Sequence, residues 1–178
     1  VLEQEAFMIR GQTDGSLLLR DILDISHSYR TTRAACKDIV EFIKTPRSVA
    51  MVLGGVCSGK SLILGECEQR LLIEGETVFN LHGKFYDLLE ETRKILSSVP
   101  NPVIIVDDCF SLRADLKEII KCASLSGARL LLSSRTLAHD SEEDIRSFYV
   151  GDIDYRIFDV EVLNEIEGNE LIECTDRI

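Results

Sequence analysis

Apolar positions along this 178-residue chain alternate between two periodicities. Apolar runs fall at 48–53 (Ser-Val-Ala-Met-Val-Leu) and at 103–108, where Val-Ile-Ile-Val precedes Asp107 and Asp108, and a run with three central leucines, 128–135 (Ala-Arg-Leu-Leu-Leu-Ser-Ser-Arg), reads as the fourth strand. Such runs suit parallel strands covered on both faces. Shorter strands are predicted at 77–81 and 155–162. Between the strands, apolar residues recur at helical spacing and predict helices over 60–74, 85–97 and about 112–124. In the second of these Phe85, Leu88, Leu89, Thr92, Ile95 and Leu96 share one face. In the third Leu116, Ile119, Ile120 and Ala123 point inward and Gly127 is the cap. Two packing helices, over 16–25 and 32–44, precede the first strand, and Pro46 breaks the chain before it. The polar stretch 139–144 reads as a solvated loop or helix start.

Strands alternating with helices imply right-handed crossovers and an α/β fold, a three-layer α/β/α sandwich around a five-stranded parallel sheet. Ligands of such sheets bind at the carboxyl ends of the strands. That rule brings 54–61, Asp107, Asp108 and 133–135 to one rim, although they are dispersed in sequence.

Composition narrows the class. With 45% hydrophobic and 29% charged residues, the chain suits one globular unit. A long apolar span and a signal peptide are both missing, so a cytoplasmic location without a membrane partner is expected. The chain starts at Val1 and stops at Ile178, just after an amphipathic pattern begins, which reads as a piece of a larger protein. The expected division is a helical lead-in at 1–47, a core at 48–162 and the start of a truncated helical lid at 163–178.

Net charge is −11, carried mostly by residues 61–178, which hold 24 acidic and 12 basic side chains. An acidic surface repels a polyphosphate backbone, so direct nucleic-acid binding by this segment is disfavoured, and the acidic excess reads first as solubility. Six cysteines at 36, 57, 67, 109, 122 and 174 lack C-x-x-C spacing and are read as small buried residues rather than metal ligands or redox groups. His27, His82 and His139 are scattered and receive no chemistry.

Candidate chemistry begins directly after the first strand. Gly54, Gly55, Val56, Cys57, Ser58, Gly59, Lys60 and Ser61 fit G-x-x-x-x-G-K-[ST], a phosphate-binding loop. Glycines let successive N–H groups turn inward at the positive end of the following helix, which runs on through Leu62. Lys60 is expected at the β- and γ-phosphates and the Ser61 hydroxyl at Mg²⁺. Asp107 suits the metal, through water, and Asp108 suits orientation or deprotonation of an attacking water. The same two acids would also serve to start the next turn near Ser111. Arg135, at the end of a strand, could stabilise or report the γ-phosphate; a surface arginine paired with the acidic loop is the other reading.

Taken together, the phosphate loop, the strand ending in Asp107-Asp108 and the strand Leu130-Leu-Leu-Ser-Ser-Arg135 resemble the additional-strand branch of P-loop ATPases. Within it the chain is similar to the STAND signal-transduction ATPases related to AAA+ proteins, over about residues 28–178. The segment 157–172 also resembles their fifth strand running into a lid helix. The resemblance implies the sheet order 5-1-4-3-2, ATP or ADP with Mg²⁺ as cofactors, and a homo-oligomer in the ATP-bound state. It also implies an adenine pocket near the segment before the first strand, with Tyr29, Arg30 and Arg33 as candidates.

The implied function is an ATP-binding, slowly hydrolysing switch core of a multidomain signalling or defence protein, partnered by flanking domains. The alternative is an AAA+-type motor or loader acting on nucleic acid, for which Arg113, Arg146 and Arg156 are formally available as arginine fingers. A P-loop small-molecule kinase is a further alternative, weakened because the second strand ends in Asn80-Leu-His-Gly83 and the final third is acidic. No guanine-specific N-K-x-D stretch occurs, which favours adenine.

Overall fold

The computed structural model describes residues 19–20, 22–23, 33–81, 87–136, 145–160, 163 and 165–169. Five strands, β1 (Ser48–Leu53), β2 (Val78–Leu81), β3 (Val103–Val106), β4 (Arg129–Ser134) and β5 (Asp154–Asp159), form one sheet in the order β2-β3-β4-β1-β5. Every neighbouring pair is parallel. This is the expected 5-1-4-3-2 order, read from the other edge.

The apolar runs of β1 and β3, and Leu130, Leu131 and Leu132 of β4, explain why these strands lie centrally. Alternate side chains serve opposite faces of the sheet, so a strand apolar at every position needs cover on both. Val49, Met51, Leu53, Ile104, Val106, Leu130 and Leu132 enter one core, beneath α3 (Leu88–Ser98) and α4 (Arg113–Ser126). Ala50, Val52, Val103, Ile105 and Leu131 enter the other, beneath α1 (Ala34–Ile43) and α2 (Lys60–Ile73). Leu116, Ile119, Ile120 and Ala123 of α4 are buried as their spacing predicts. Each fully buried Leu or Ile contributes about 1.5–3 kcal/mol, so these two cores dominate the stability of the sandwich.

The main departures lie at element ends. The fifth strand begins one residue before the expected Tyr155 and ends at Asp159. It is an edge strand with mostly exposed side chains, and its Asp154, Arg156 and Asp159 give it the charged character that keeps edges from pairing with other chains. A 3-10 turn, Cys109–Leu112, intervenes between Asp108 and α4, so the helix starts at Arg113 rather than Leu112. Asp87 caps α3 by accepting the Glu90 N–H at 3.1 Å, and Phe85 lies outside the described residues. Gly127 ends α4 at φ 76°, as expected of a left-handed cap. Among the described residues, no helix is long and apolar enough to cross a membrane.

Candidate functional site

The loop between β1 and α2 takes its shape from backbone demands that its sequence meets. Gly59 precedes α2 at φ 82°, where a side chain would be strained. A Cβ on Gly54 would lie 2.5 Å from Ser58 Oγ, so the loop closes only around a bare backbone there. Cys57 accepts φ 62° at the exposed tip. Among the described residues, none accepts a hydrogen bond from the main-chain N–H groups of residues 55–62. The first intramolecular bond of α2 is Ile63 N–H to Gly59 O at 3.0 Å. These donors and the positive end of a 14-residue helix therefore share one place, a ready anion site.

Lys60 folds back across this loop, its Nζ donating to Gly54 O at 2.9 Å, Gly55 O at 2.5 Å and Ser58 Oγ at 3.3 Å. Among the described residues, only hydrogen bonds to neutral oxygens hold the ammonium there, so an anion in the loop can draw it away.

Asp107 follows β3 and meets the loop from the neighbouring side. Its Oδ2 accepts the Ser61 hydroxyl at 2.6 Å, and its Oδ1 accepts the Ser133 hydroxyl and, at 3.0 Å, the Asp108 N–H. Ser133 Oγ in turn accepts that N–H at 2.9 Å. Register explains the meeting: β3 pairs with β4 through Val106 and Leu132, so the next residues, Asp107 and Ser133, fall side by side. Asp108 turns to φ 48° and is exposed. The hydroxyl of Ser61 and the carboxylate of Asp107 are hard oxygen donors, few in number, and they suit Mg²⁺, which keeps waters and takes phosphate oxygens as further ligands.

Arg135 is exposed immediately beyond the carboxyl end of β4, on the same rim. Arg156 is not on it: the guanidinium stacks over Phe158 at 4.9 Å and Phe42 at 6.0 Å. The side chains of Arg113 and Arg146 lie outside the described residues, as do Tyr29, Arg30 and the stretch 139–144. Arg33 binds the loop itself, donating from Nη1 to Ser58 O at 3.1 Å and from Nη2 to Val160 O at 3.0 Å. These contacts were not foreseen, nor was the Ser133 hydroxyl on Asp107; the only signal for the latter was its place two residues before Arg135.

Among the described cysteines, Cys57 is exposed and Cys122 half-buried, against the expectation of buried residues. Cys109 is fully buried, and burial, aided by the Asp108 charge, pushes its thiol up to about 12. It therefore stays protonated at neutral pH and is a poor redox group despite its place beside the two acids. Cys36 of α1 and Cys67 of α2 are also buried, with sulfurs 3.3 Å apart.

No family model and no curated protein matches the chain. Solved structures do match its fold. A DNA replication initiation factor aligns at TM-score 0.55 and 15% identity, over 80% of this chain and 49% of its own length. AMPPCP-bound DnaA from Aquifex aeolicus aligns at TM-score 0.53 and 18% identity, over 78% and 50%. The replication initiator DnaA bound to AMPPCP and single-stranded DNA aligns at TM-score 0.54 and 19% identity, over 78% and 49%. The fold matches that of the AAA+ domains of DnaA. The chain spans about half the length of these neighbours.

Proposed function

We propose that this chain is the ATP-binding core of an AAA+-type ATPase that works on nucleic acid within a larger protein or assembly. The observation that carries the reading is the convergence, at the carboxyl end of the sheet, of the N–H groups of residues 55–62, which have no acceptor among the described residues, with Lys60 and the Ser61–Asp107 pair. The likeness of the fold to a DNA replication initiator favours the nucleic-acid side of the reading. Residues 61–178, with their acidic excess, leave contact with nucleic acid to basic surfaces elsewhere in the assembly.

In this mechanism the loop amides and the positive end of α2 bind the β- and γ-phosphates, and Lys60 leaves the Gly54 and Gly55 carbonyls for them. Ser61 and Asp107 would hold Mg²⁺, which would supply neutralisation of the phosphate charge. Asp108, exposed at the mouth of the site, accepts a proton from water as its oxygen attacks the γ-phosphorus and the bond to ADP breaks. Arg135 registers the presence of the γ-phosphate from the end of β4.

A second reading, a slowly hydrolysing STAND-like switch of signalling or defence, is favoured by one feature, the arginine that directly follows β4. DNA separates the two: it raises the ATPase rate of the full-length protein under the first reading and leaves it unchanged under the second. Both require that Lys60→Ala abolish Mg·ATP binding in calorimetry. Equal affinity of that variant and the wild type would sink both.

A further inference from the structure

Arg33 joins three segments that are remote in sequence. It stands at the start of α1 with an extended backbone (φ −71°, ψ 128°), so its side chain leaves the helix and crosses to the phosphate loop. There Nη1 holds Ser58 O and Nη2 holds Val160 O, just beyond β5. On its other side Nε lies 3.3 Å from Glu167 Oε1, and the same oxygen accepts the Ala34 N–H at 2.7 Å. The two side chains are only 11% and 6% exposed. Removing one member of so dry a pair leaves the other charge uncompensated, so the two hold each other in place.

The consequence for the loop follows from peptide geometry. The Ser58–Gly59 bond is trans and planar, so the Ser58 carbonyl and the Gly59 N–H point in opposite directions. Anchoring that carbonyl on Arg33 turns the Gly59 N–H away from α1. Gly59 is also the residue at φ 82° that opens α2, where a small rotation of the peptide redirects the first donors of the helix.

We propose that Glu167 and Arg33 form a strut through which the helical segment 165–169 controls the phosphate loop. Glu167 fixes Arg33, Arg33 fixes the Ser58–Gly59 peptide, and the fixed peptide presents its N–H to phosphate. Glu167 is a positioning residue and touches no phosphate. The strut rests on the triphosphate-binding reading given above and adds its regulation: whatever moves 165–169 changes nucleotide affinity. Linkage makes the effect mutual, so bound nucleotide holds 165–169 down by the same factor.

The test compares the wild type with Glu167→Gln, which keeps the shape and an acceptor for Ala34 but removes the charge, and with Arg33→Lys, which keeps the charge but loses the fork. Affinity for Mg·AMPPCP is measured by calorimetry, amide exchange at 165–169 by mass spectrometry, and the Gly59 amide resonance by NMR. The strut predicts a loss of about 5- to 50-fold in affinity in both variants, a shifted Gly59 resonance even without nucleotide, and slower exchange at 165–169 on nucleotide binding in the wild type only. Unchanged affinity and an unmoved Gly59 resonance in folded variants overturn it, because a merely structural role would lower the melting temperature alone. Should either variant fail to fold, the wild type decides: exchange at 165–169 that ignores saturating nucleotide overturns the strut. If the wild type binds no triphosphate, the functional reading fails by itself, and the Gly59 resonance in the nucleotide-free variants still decides the strut.

Discussion

The two ends of the sheet are built from similar residue types and differ in what remains unpaired. At the amino end a cleft of about 630 Å³ is lined by Lys44, Arg47, Glu76, Asn101, Leu125 and Arg129, among others. It is roomy and rich in cations. Yet α1, α2 and α4 all end there, at Ile43, Ile73 and Ser126, and aim the negative ends of their dipoles toward it. Lys44 is paired with Glu74, and Arg129 donates from Nη2 to Glu76 at 2.6 Å and to the Asn101 carbonyl at 2.7 Å. Lys44 and Arg129 thus complete the protein's own electrostatics. At the carboxyl end, among the described residues, none accepts a hydrogen bond from the N–H groups of residues 55–62 at the positive end of α2. The difference is one of paired cations at one end and backbone donors without a described acceptor at the other, and it is the latter arrangement that favours an anion.

Substitutions can break or sharpen this contrast, ranked by their effect on nucleotide affinity. Asp107→Asn keeps hydrogen-bonding capacity toward Ser61 and Ser133 but removes the charge that suits Mg²⁺. It should weaken Mg·ATP binding about a hundredfold, ~2.7 kcal/mol, while affinity measured in EDTA changes little. An equal loss in both conditions would mean that the carboxylate shapes the loop instead of holding metal. Gly59→Ala forces a side chain to φ 82°, a strain of about 1–3 kcal/mol, and should cost about tenfold in affinity together with several degrees in melting temperature. Full affinity in that variant would show that the loop tolerates another path into α2.

Arg129→Met at the amino end should leave nucleotide affinity unchanged and lower stability by about 1–3 kcal/mol, since two hydrogen bonds from a charged donor are lost. The same pair sets a pH signature. The hydrogen bond from Arg129 holds the Glu76 carboxyl below its ordinary value of 4.5. Its contribution to stability is therefore complete above that value and is lost as the pH falls through the lower, folded-state value. In Arg129→Met, melting curves below pH 4.5 should lack this acid-dependent component; a retained component would assign it to other carboxylates.

Much of the architecture was legible because it depends on local periodicity. Val103–Val106 announced a central strand by being apolar throughout, β4 was announced by Leu130, Leu131 and Leu132, and Leu116, Ile119, Ile120 and Ala123 announced a buried helix face by their spacing. The loop 54–61 was legible because its glycines answer backbone demands that a pattern can encode. Strand β5 was blurred at both ends, since an exposed edge strand carries alternating polar residues like those of a loop. The contacts of Ser133 with Asp107, and of Arg33 with Ser58 and Glu167, could not be read, because each joins residues that meet only through sheet register or helix docking. Cys57 was misread as buried because composition alone says nothing about which way a tight loop turns its side chains.

The central claim is that triphosphate binds the amides of residues 55–62 at the carboxyl end and ignores the cleft at the other. The most direct measurement is a titration of the isotopically labelled protein with Mg·ATP, followed through its backbone amide resonances. The account predicts large, saturable shifts at residues 55–62 and at Asp107 and Asp108, with Lys44, Arg47, Thr77, Asn101 and Arg129 unmoved. Saturable shifts confined to the amino-end residues, with 55–62 unmoved, would contradict it.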